Sequence, residues 1–209
     1  MENILVAGAN GTTGKKIINI LTASQYFTPV AMVRKKEQLE QFEKENIKTV
    51  LGDLEKDISH TTEGIDKVIF AAGSGGKKVT EVDQEGAKKL IDASKDKSIK
   101  KFVMLSSMGA DNPEQASQLK DYLKAKHNAD EYLKSSDLNY AIIRPGSLTD
   151  NKGSGKIELK PSLNKKGSIS RDDVAQTLVR TLHDDASSNV TFEIIKGDVL
   201  IGKALNTLL

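Results

Sequence analysis

The feature that most constrains this chain lies at its start. A short apolar run, Asn3-Ile4-Leu5-Val6-Ala7, is followed at once by Gly8-Ala9-Asn10-Gly11-Thr12-Thr13-Gly14, and then by a pattern with Ile17, Ile18 and Leu21 on one face and Lys15 and Lys16 off it. The first run reads as a buried strand and the second as an amphipathic helix. Each glycine between them has a task. Gly8 makes the tight turn out of the strand, Gly11 lets the backbone approach a ligand, and Gly14 lets the helix pack close to the sheet. The free N–H groups at the helix start, with the positive end of its dipole, then face outward as an anion site suited to a diphosphate. Asn10, Thr12 and Thr13 sit in the same turn, and the two threonines add hydroxyl donors. A glycine triplet alone is a weak signal. Its place between a strand and a helix separates it from an ordinary glycine turn.

The rest of the chain repeats the alternation. Strands are expected at 30–33, 47–51, 67–71, 101–105 and 140–143, and helices at 17–21 and beyond, 36–45, 79–97 and 116–135. Alternating elements of this kind imply α/β architecture with helices on both faces of a doubly wound parallel sheet, the Rossmann fold. The expectation is a single domain over residues 1–209, with 146–209 as a small substrate-side extension. That extension weakens the alternation: residues 146–167 are rich in Gly, Ser, Asn and Lys, with a short strand at 156–160. A helix over 171–183, a strand around 191–195 and a last short helix follow. The lysines of 152–166 read as a solvated loop, the alternative being attraction for an anionic substrate. Ser170 and Asp173 have the spacing of a helix cap. His127 should project away from Lys126 into solvent.

Ligand choice is read at the strand ends. Where an acidic residue would hold the 2′-hydroxyl of NAD, this chain has Arg34, followed by Lys35 and Lys36. A guanidinium there suits the 2′-phosphate of NADP(H), or serves as a solvated cationic turn. Asp53, before Leu54, reads either as an acceptor for the adenine amino group or as the anchor of an Asx turn. Ala71-Ala72-Gly73 offers close backbone approach to a ribose, or is a plain turn.

Composition excludes other classes. With 31 basic and 29 acidic residues, a net charge of +2 and 4% aromatics, the chain carries neither the basic field nor the stacking platform of a nucleic-acid binder. It has no cysteine, so disulfides and thiolate chemistry are ruled out. His60, His127 and His183 lack metal-ligand spacing, so no metal site is expected. The first apolar run is too short for a signal-peptide core or a membrane span, and a cytoplasmic protein without membrane or nucleic-acid partners is expected.

Together with Val82-Asp83-Gln84-Glu85-Gly86, Ser106-Ser107, Tyr122-x-x-x-Lys126, Arg144-Pro145-Gly146 and Ser170-Arg171-Asp172-Asp173-Val174-Ala175, these motifs resemble the atypical short-chain dehydrogenases/reductases. That group includes NmrA-like proteins and relatives of biliverdin reductase B and flavin reductase. The resemblance implies Tyr122 as general acid and Lys126 as its partner and as a ribose ligand. It implies Ser107 as a hydrogen-bond donor to the substrate oxygen, Ser106 beside the cofactor, and Pro145 and Gly146 along the nicotinamide. Four-residue spacing puts Tyr122 and Lys126 on one helical face. Asp83 stands where the family usually has asparagine. The function implied is an NADPH-dependent oxidoreductase acting on a small carbonyl, quinone or flavin-like acceptor, as monomer or homodimer. The alternative is an NmrA-like NADP(H)-binding redox sensor without turnover. A sugar-nucleotide epimerase or dehydratase would need a larger C-terminal portion.

Overall fold

The protein is described by a computed structural model, which covers residues 1–186 and 188–208. The first half runs β1 (Glu2–Ala7), α1 (Thr12–Thr22), β2 (Phe27–Val33), α2 (Lys36–Lys44), β3 (Lys48–Leu51), β4 (Lys67–Phe70), α3 (Gly86–Asp96) and β5 (Lys101–Leu105). It continues through α4 (Lys120–Lys134), β6 (Tyr140–Pro145), β7 (Ser147–Thr149), β8 (Lys156–Lys160) and β9 (Ser168–Ser170). The chain ends in α5 (Arg171–Thr181), β10 (Val190–Lys196), β11 (Val199–Leu200) and α6 (Ile201–Leu205).

The main sheet has nine strands in the order β11-β8-β10-β6-β5-β4-β1-β2-β3. All pairs from β3 across to β10 are parallel. Alternate residues of each strand feed opposite faces. Ile4 and Val6 pack with Ile17, Ile18 and Leu21 of α1, Phe42 of α2 and Val174 and Leu178 of α5. Leu5 and Ala7 pack with Leu90 and Ile91 of α3 and with Ala129 and Leu133 of α4. This is the doubly wound α/β arrangement. Its strand order reverses between β1 and β4, which opens a crevice at their carboxyl ends.

The sheet departs from the expected all-parallel form at its far edge. The strand β8 runs antiparallel to both β10 and β11. The residues after Pro145 therefore build sheet. Two short strands among them form a further ribbon, β7 paired in parallel with β9, which no periodicity in 146–170 announced. Another difference lies in β2, which starts at Phe27 and includes Pro29. Pro29 pairs with Ile4 before β3 begins at the Val30↔Lys48 pair, and proline is tolerated where only one neighbour is bonded.

Two helices also differ from the sequence pattern. The helix expected over 79–97 opens with a π-helical stretch, Val79–Glu85, before α3. The helix expected from 116 starts only at Lys120, because Leu119 sits in the left-handed region at φ 58°. Among the described residues no helix is long and apolar enough to cross a membrane.

Candidate cofactor and active-site cleft

The crevice at the β1/β4 switch is a cleft of about 900 Å³. Its floor is the turn from β1 into α1. Gly8 has φ +88°, and a Cβ there would lie 2.7 Å from the backbone of Ala72. A Cβ on Gly14 would fall within the Gly8 carbonyl oxygen. A Cβ on Gly11, by contrast, would meet only that oxygen at 3.2 Å and otherwise point to open space. Gly8 and Gly14 thus shape the turn from within, and Gly11 presents its bare backbone to the cleft. Asn10, Thr12 and Thr13 line the cleft with Gly8 and Gly11, and Gly14 lies beneath. The Gly11 N–H donates to the Gly8 carbonyl at 2.9 Å, but the helix start carries no side-chain cap, so the amides that follow remain available to an anion.

One wall comes from β2 and β3. Arg34 is exposed and lines the cleft. Its backbone N–H and that of Lys35 donate to Gln38 Oε1 at 3.1 and 3.2 Å, which fixes the turn carrying the guanidinium. Asp53 Oδ1 accepts the Glu55 N–H at 3.1 Å. The Asx turn is therefore formed, and the carboxylate still borders the cleft with Leu54.

The opposite wall comes from β4, the π-helical stretch, β5 and α4. Ala71, Ala72 and Gly73 line the cleft. Asp83 is 1% exposed. Its Oδ2 accepts the Ser74 N–H at 3.0 Å, and its Oδ1 lies 3.6 Å from Lys126 Nζ. The π-helical turn sets Asp83 inward. Such insertions recur at functional sites because they re-aim one side chain without ending the helix. Lys126 is itself 3% exposed. It donates to the Leu105 carbonyl at 3.2 Å, and its ammonium lies 5.7 Å from the centroid of the half-buried Tyr122 ring. One helix turn separates these two, and both line the cleft.

Two polar atoms here, Asp83 Oδ1 and Ser74 Oγ, are buried and have no hydrogen-bond partner among the described residues. Buried polar groups are normally paired, so these two suit hydroxyls arriving with a ligand. The residues present fit a nicotinamide dinucleotide: a bare amide cradle, a cation at the β2 end and orphaned acceptors on the facing wall.

The two serines divide. Ser106 lines the cleft, but its hydroxyl donates inward to Asp130 Oδ2 at 2.8 Å. Arg144 meets the same oxygen through Nε at 3.0 Å and Nη2 at 2.9 Å. Burial pushes the Asp130 carboxyl up, against the pull of Arg144 and Ser106. This network ties the ends of β5 and β6 to α4. Ser107 lies outside the cleft lining, and its hydroxyl donates to the Met108 carbonyl at 3.2 Å. Pro145 and Gly146 also lie outside that lining. Gly146 packs too tightly against Gly167 and Ile195 to admit a Cβ. His127 is not solvent-directed as expected: it is half-buried, with Nδ1 2.8 Å from the Ala110 carbonyl.

The cleft also has members that the sequence did not reveal. Gln38, Ser74, Lys78, Leu119, Leu148 and Arg171 all line it. The Ser74-Gly75-Gly76 turn after β4 was the one visible signal, and both glycines have positive φ. None of the lysines of 152–166 reaches the cleft.

Comparison with known proteins agrees with this geometry. A Bacillus subtilis protein called the uncharacterized sugar epimerase YhfK is 38% identical over 213 residues, covering 98% of this chain and 99% of its own. A Bacillus halodurans structure described as an NAD-dependent epimerase/dehydratase superposes with a TM-score of 0.94 at 36% identity, covering 99% of this chain and 100% of its own. The Lactococcus lactis oxidoreductase ylbE gives 0.90 at 33% identity, covering 99% of this chain and 96% of its own. The family described as NAD(P)H-binding matches residues 8–185. With the cradle, the switch-point cleft and this match in agreement, the chain belongs to the NAD(P)H-binding family.

Proposed function

We propose that the protein is an NADPH-dependent reductase of a small carbonyl, quinone or flavin-like acceptor. One observation carries this reading: the glycine cradle, Arg34, Tyr122 and the buried Asp83–Lys126 pair all face one cleft. The reduced nicotinamide, when bound, supplies hydride to the acceptor. The amides of Thr12 and Thr13 hold the diphosphate, the Gly11 N–H being taken by the Gly8 carbonyl. Arg34 takes the 2′-phosphate in a charge-assisted grip that a ribose hydroxyl cannot match. Ser74 and Asp83 meet ribose hydroxyls, and Asp83 holds the Lys126 ammonium in place. Tyr122 donates its hydroxyl proton to the oxygen of a carbonyl or quinone, or to a ring nitrogen of a flavin, and solvent replaces it. Lys126 sets a fixed positive charge beside the phenol, where negative charge develops as that proton leaves.

The names of the relatives include both epimerase and oxidoreductase. The reductase is favoured because, among the described residues from 146 on, β8, β10 and β11 belong to the main sheet and only Leu148 and Arg171 line the cleft, which provides little to enclose a nucleotide sugar. The second reading is a redox sensor that binds NADP(H) without turnover. It draws support from the engagement of Lys126 by Asp83 and by the Leu105 carbonyl.

Turnover separates the two readings. NADPH oxidation should proceed with one or more of a panel of quinones, aldehydes and flavins. Tyr122→Phe should lower kcat by about a hundredfold or more, the scale of a general acid, while NADPH affinity changes less than twofold. Unchanged turnover in that variant would remove Tyr122 from the mechanism. Tight binding with no turnover across the panel would favour the sensor.

A further inference from the structure

The β7–β9 ribbon places a charge pair that this chemistry does not use. Thr149 and Ser170 are register partners, so the next residues, Asp150 and Arg171, emerge side by side. Arg171 Nη1 donates to Asp150 Oδ1 at 2.9 Å. Only Arg171 of the two lines the cleft, where it joins Leu148.

The two partners differ in environment. The Arg171 side chain is 24% exposed and that of Asp150 is 75% exposed. The base under Arg171 is firmly built. Ser170 caps α5 by accepting the Asp173 N–H at 3.0 Å. Asp173 accepts the Gly155 N–H at 2.7 Å, and Asp172 accepts the Gly153 N–H at 3.0 Å. Asp172 also pairs with Lys16 of α1 at 2.6 Å. The guanidinium thus stands on an anchored turn and faces an exposed counter-ion. Exposed ion pairs contribute little, so an arriving anion displaces Asp150 at small cost. No other hydrogen bond from the Arg171 guanidinium is formed among the described residues, which leaves its planar fork open for a bidentate partner.

The remaining cations of the cleft are differently placed. Lys126 is held by Asp83, Lys78 is held by Glu55 at 2.6 Å, and the exposed Lys77 precedes Lys78 on the loop after β4. Arg34 lies at the end of β2, and β2 and β6 lie on opposite sides of β1 in the strand order. Since β7 directly follows β6, Arg171 stands on the far side of the cradle from Arg34. Leu105, Leu119, Tyr122 and Leu148 line the same cleft and give it an apolar wall.

Resting on the reductase reading, we propose that Arg171 recognises a phosphate or carboxylate on the acceptor, whose flat apolar body lies on this wall, and that Asp150 occupies the arginine until that group arrives. The pair makes the site selective for acidic acceptors over neutral ones of the same shape.

FMN and riboflavin share one ring system and differ by a phosphate. Their affinities are measured by quenching of flavin fluorescence on protein saturated with NADP⁺, whose own binding is measured first. FMN should bind roughly tenfold or more tightly than riboflavin, the scale of a hydrogen bond to a charged group. Arg171→Gln should erase that gap, Arg171→Lys should keep part of it, and Asp150→Asn should widen it severalfold. No preference in the wild type, no flavin binding, or a preference that survives Arg171→Gln would each overturn the assignment. So would an Arg171→Gln variant that weakens NADP⁺ in place of FMN. Failure to bind NADP⁺ at the outset would count against the nicotinamide reading, and this assignment falls with it. With NADP⁺ bound, the flavin result judges Arg171 alone.

Discussion

Among single residues, the three glycines of the first turn have separable roles. A Gly11 Cβ would meet one tight neighbour, the Gly8 carbonyl oxygen at 3.2 Å, and φ there is an ordinary −72°, so alanine fits the folded chain after a small shift of that turn. The methyl group would then stand where a diphosphate must lie against the amides. Gly11→Ala should destabilise the fold less than Gly14→Ala does and lose at least tenfold in NADPH affinity, about 1.4 kcal/mol. Gly14→Ala forces a methyl into the Gly8 carbonyl and should cost about 1–3 kcal/mol of stability. Paired melting curves and NADPH titrations check both variants. A Gly11→Ala variant that binds normally would remove that amide surface from the site. The place of these glycines at the cleft floor was legible in the sequence because they sit between a strand and a helix. So was the place of Arg34, Tyr122 and Lys126 along the cleft, each tied to an element end or a helical spacing. The Asp83–Lys126 contact was not, because it needs a π-helical insertion that no hydrophobic period records. Arg171 was read as part of a helix start, and its place in the cleft follows from the β7–β9 pairing.

At the scale of elements, the base of the sheet holds α5 through two lysines. Lys67 and Lys101 are register partners at the starts of β4 and β5. Lys67 Nζ caps the end of α5 by donating to the Leu182 carbonyl at 2.9 Å, and it pairs with Glu2 at 2.8 Å and Asp184 at 2.6 Å. Among the described residues Lys101 has only the Ala186 carbonyl, at 3.0 Å. Burial, and then the positive charge of Lys67, bring its pKa down from 10.5 to about 8. Between those two values the unfolded chain binds the proton and the folded one does not, so stability rises with pH through that window. Below about pH 8 both forms are protonated and the cost of burying the charge is felt in full. Lys101→Met should be more stable than wild type at pH 7 and should flatten the rise between pH 8 and 10.5, as read by urea unfolding across that range. A wild-type curve with no rise there would contradict the buried-charge account. The start of α4 shows the limit of pattern reading. Residues 116–119 continue a helical period, yet Leu119 turns left-handed and stands 69% exposed at the cleft mouth.

For the whole molecule, seven strands in parallel array with helices on both faces followed from the alternation of short apolar runs and amphipathic segments. The antiparallel edge was harder to read. The strand β8 is only half buried, and β11 has two residues, so neither gives the continuous apolar run of an inner strand. The sheet order sets everything functional, because the reversal between β1 and β4 puts the first helix tip at the centre of the cleft. The central claim is that this tip binds a nicotinamide dinucleotide and that Arg34 favours the phosphorylated form. A thermal melt with no ligand, with NADH and with NADPH tests it most directly. At a hundredfold excess over Kd, NADPH should stabilise the fold by about 2.7 kcal/mol, raising Tm by roughly 5–11 °C for a chain of this size, and NADH at the same concentration should raise it less. A melting temperature unmoved by either dinucleotide would contradict the account.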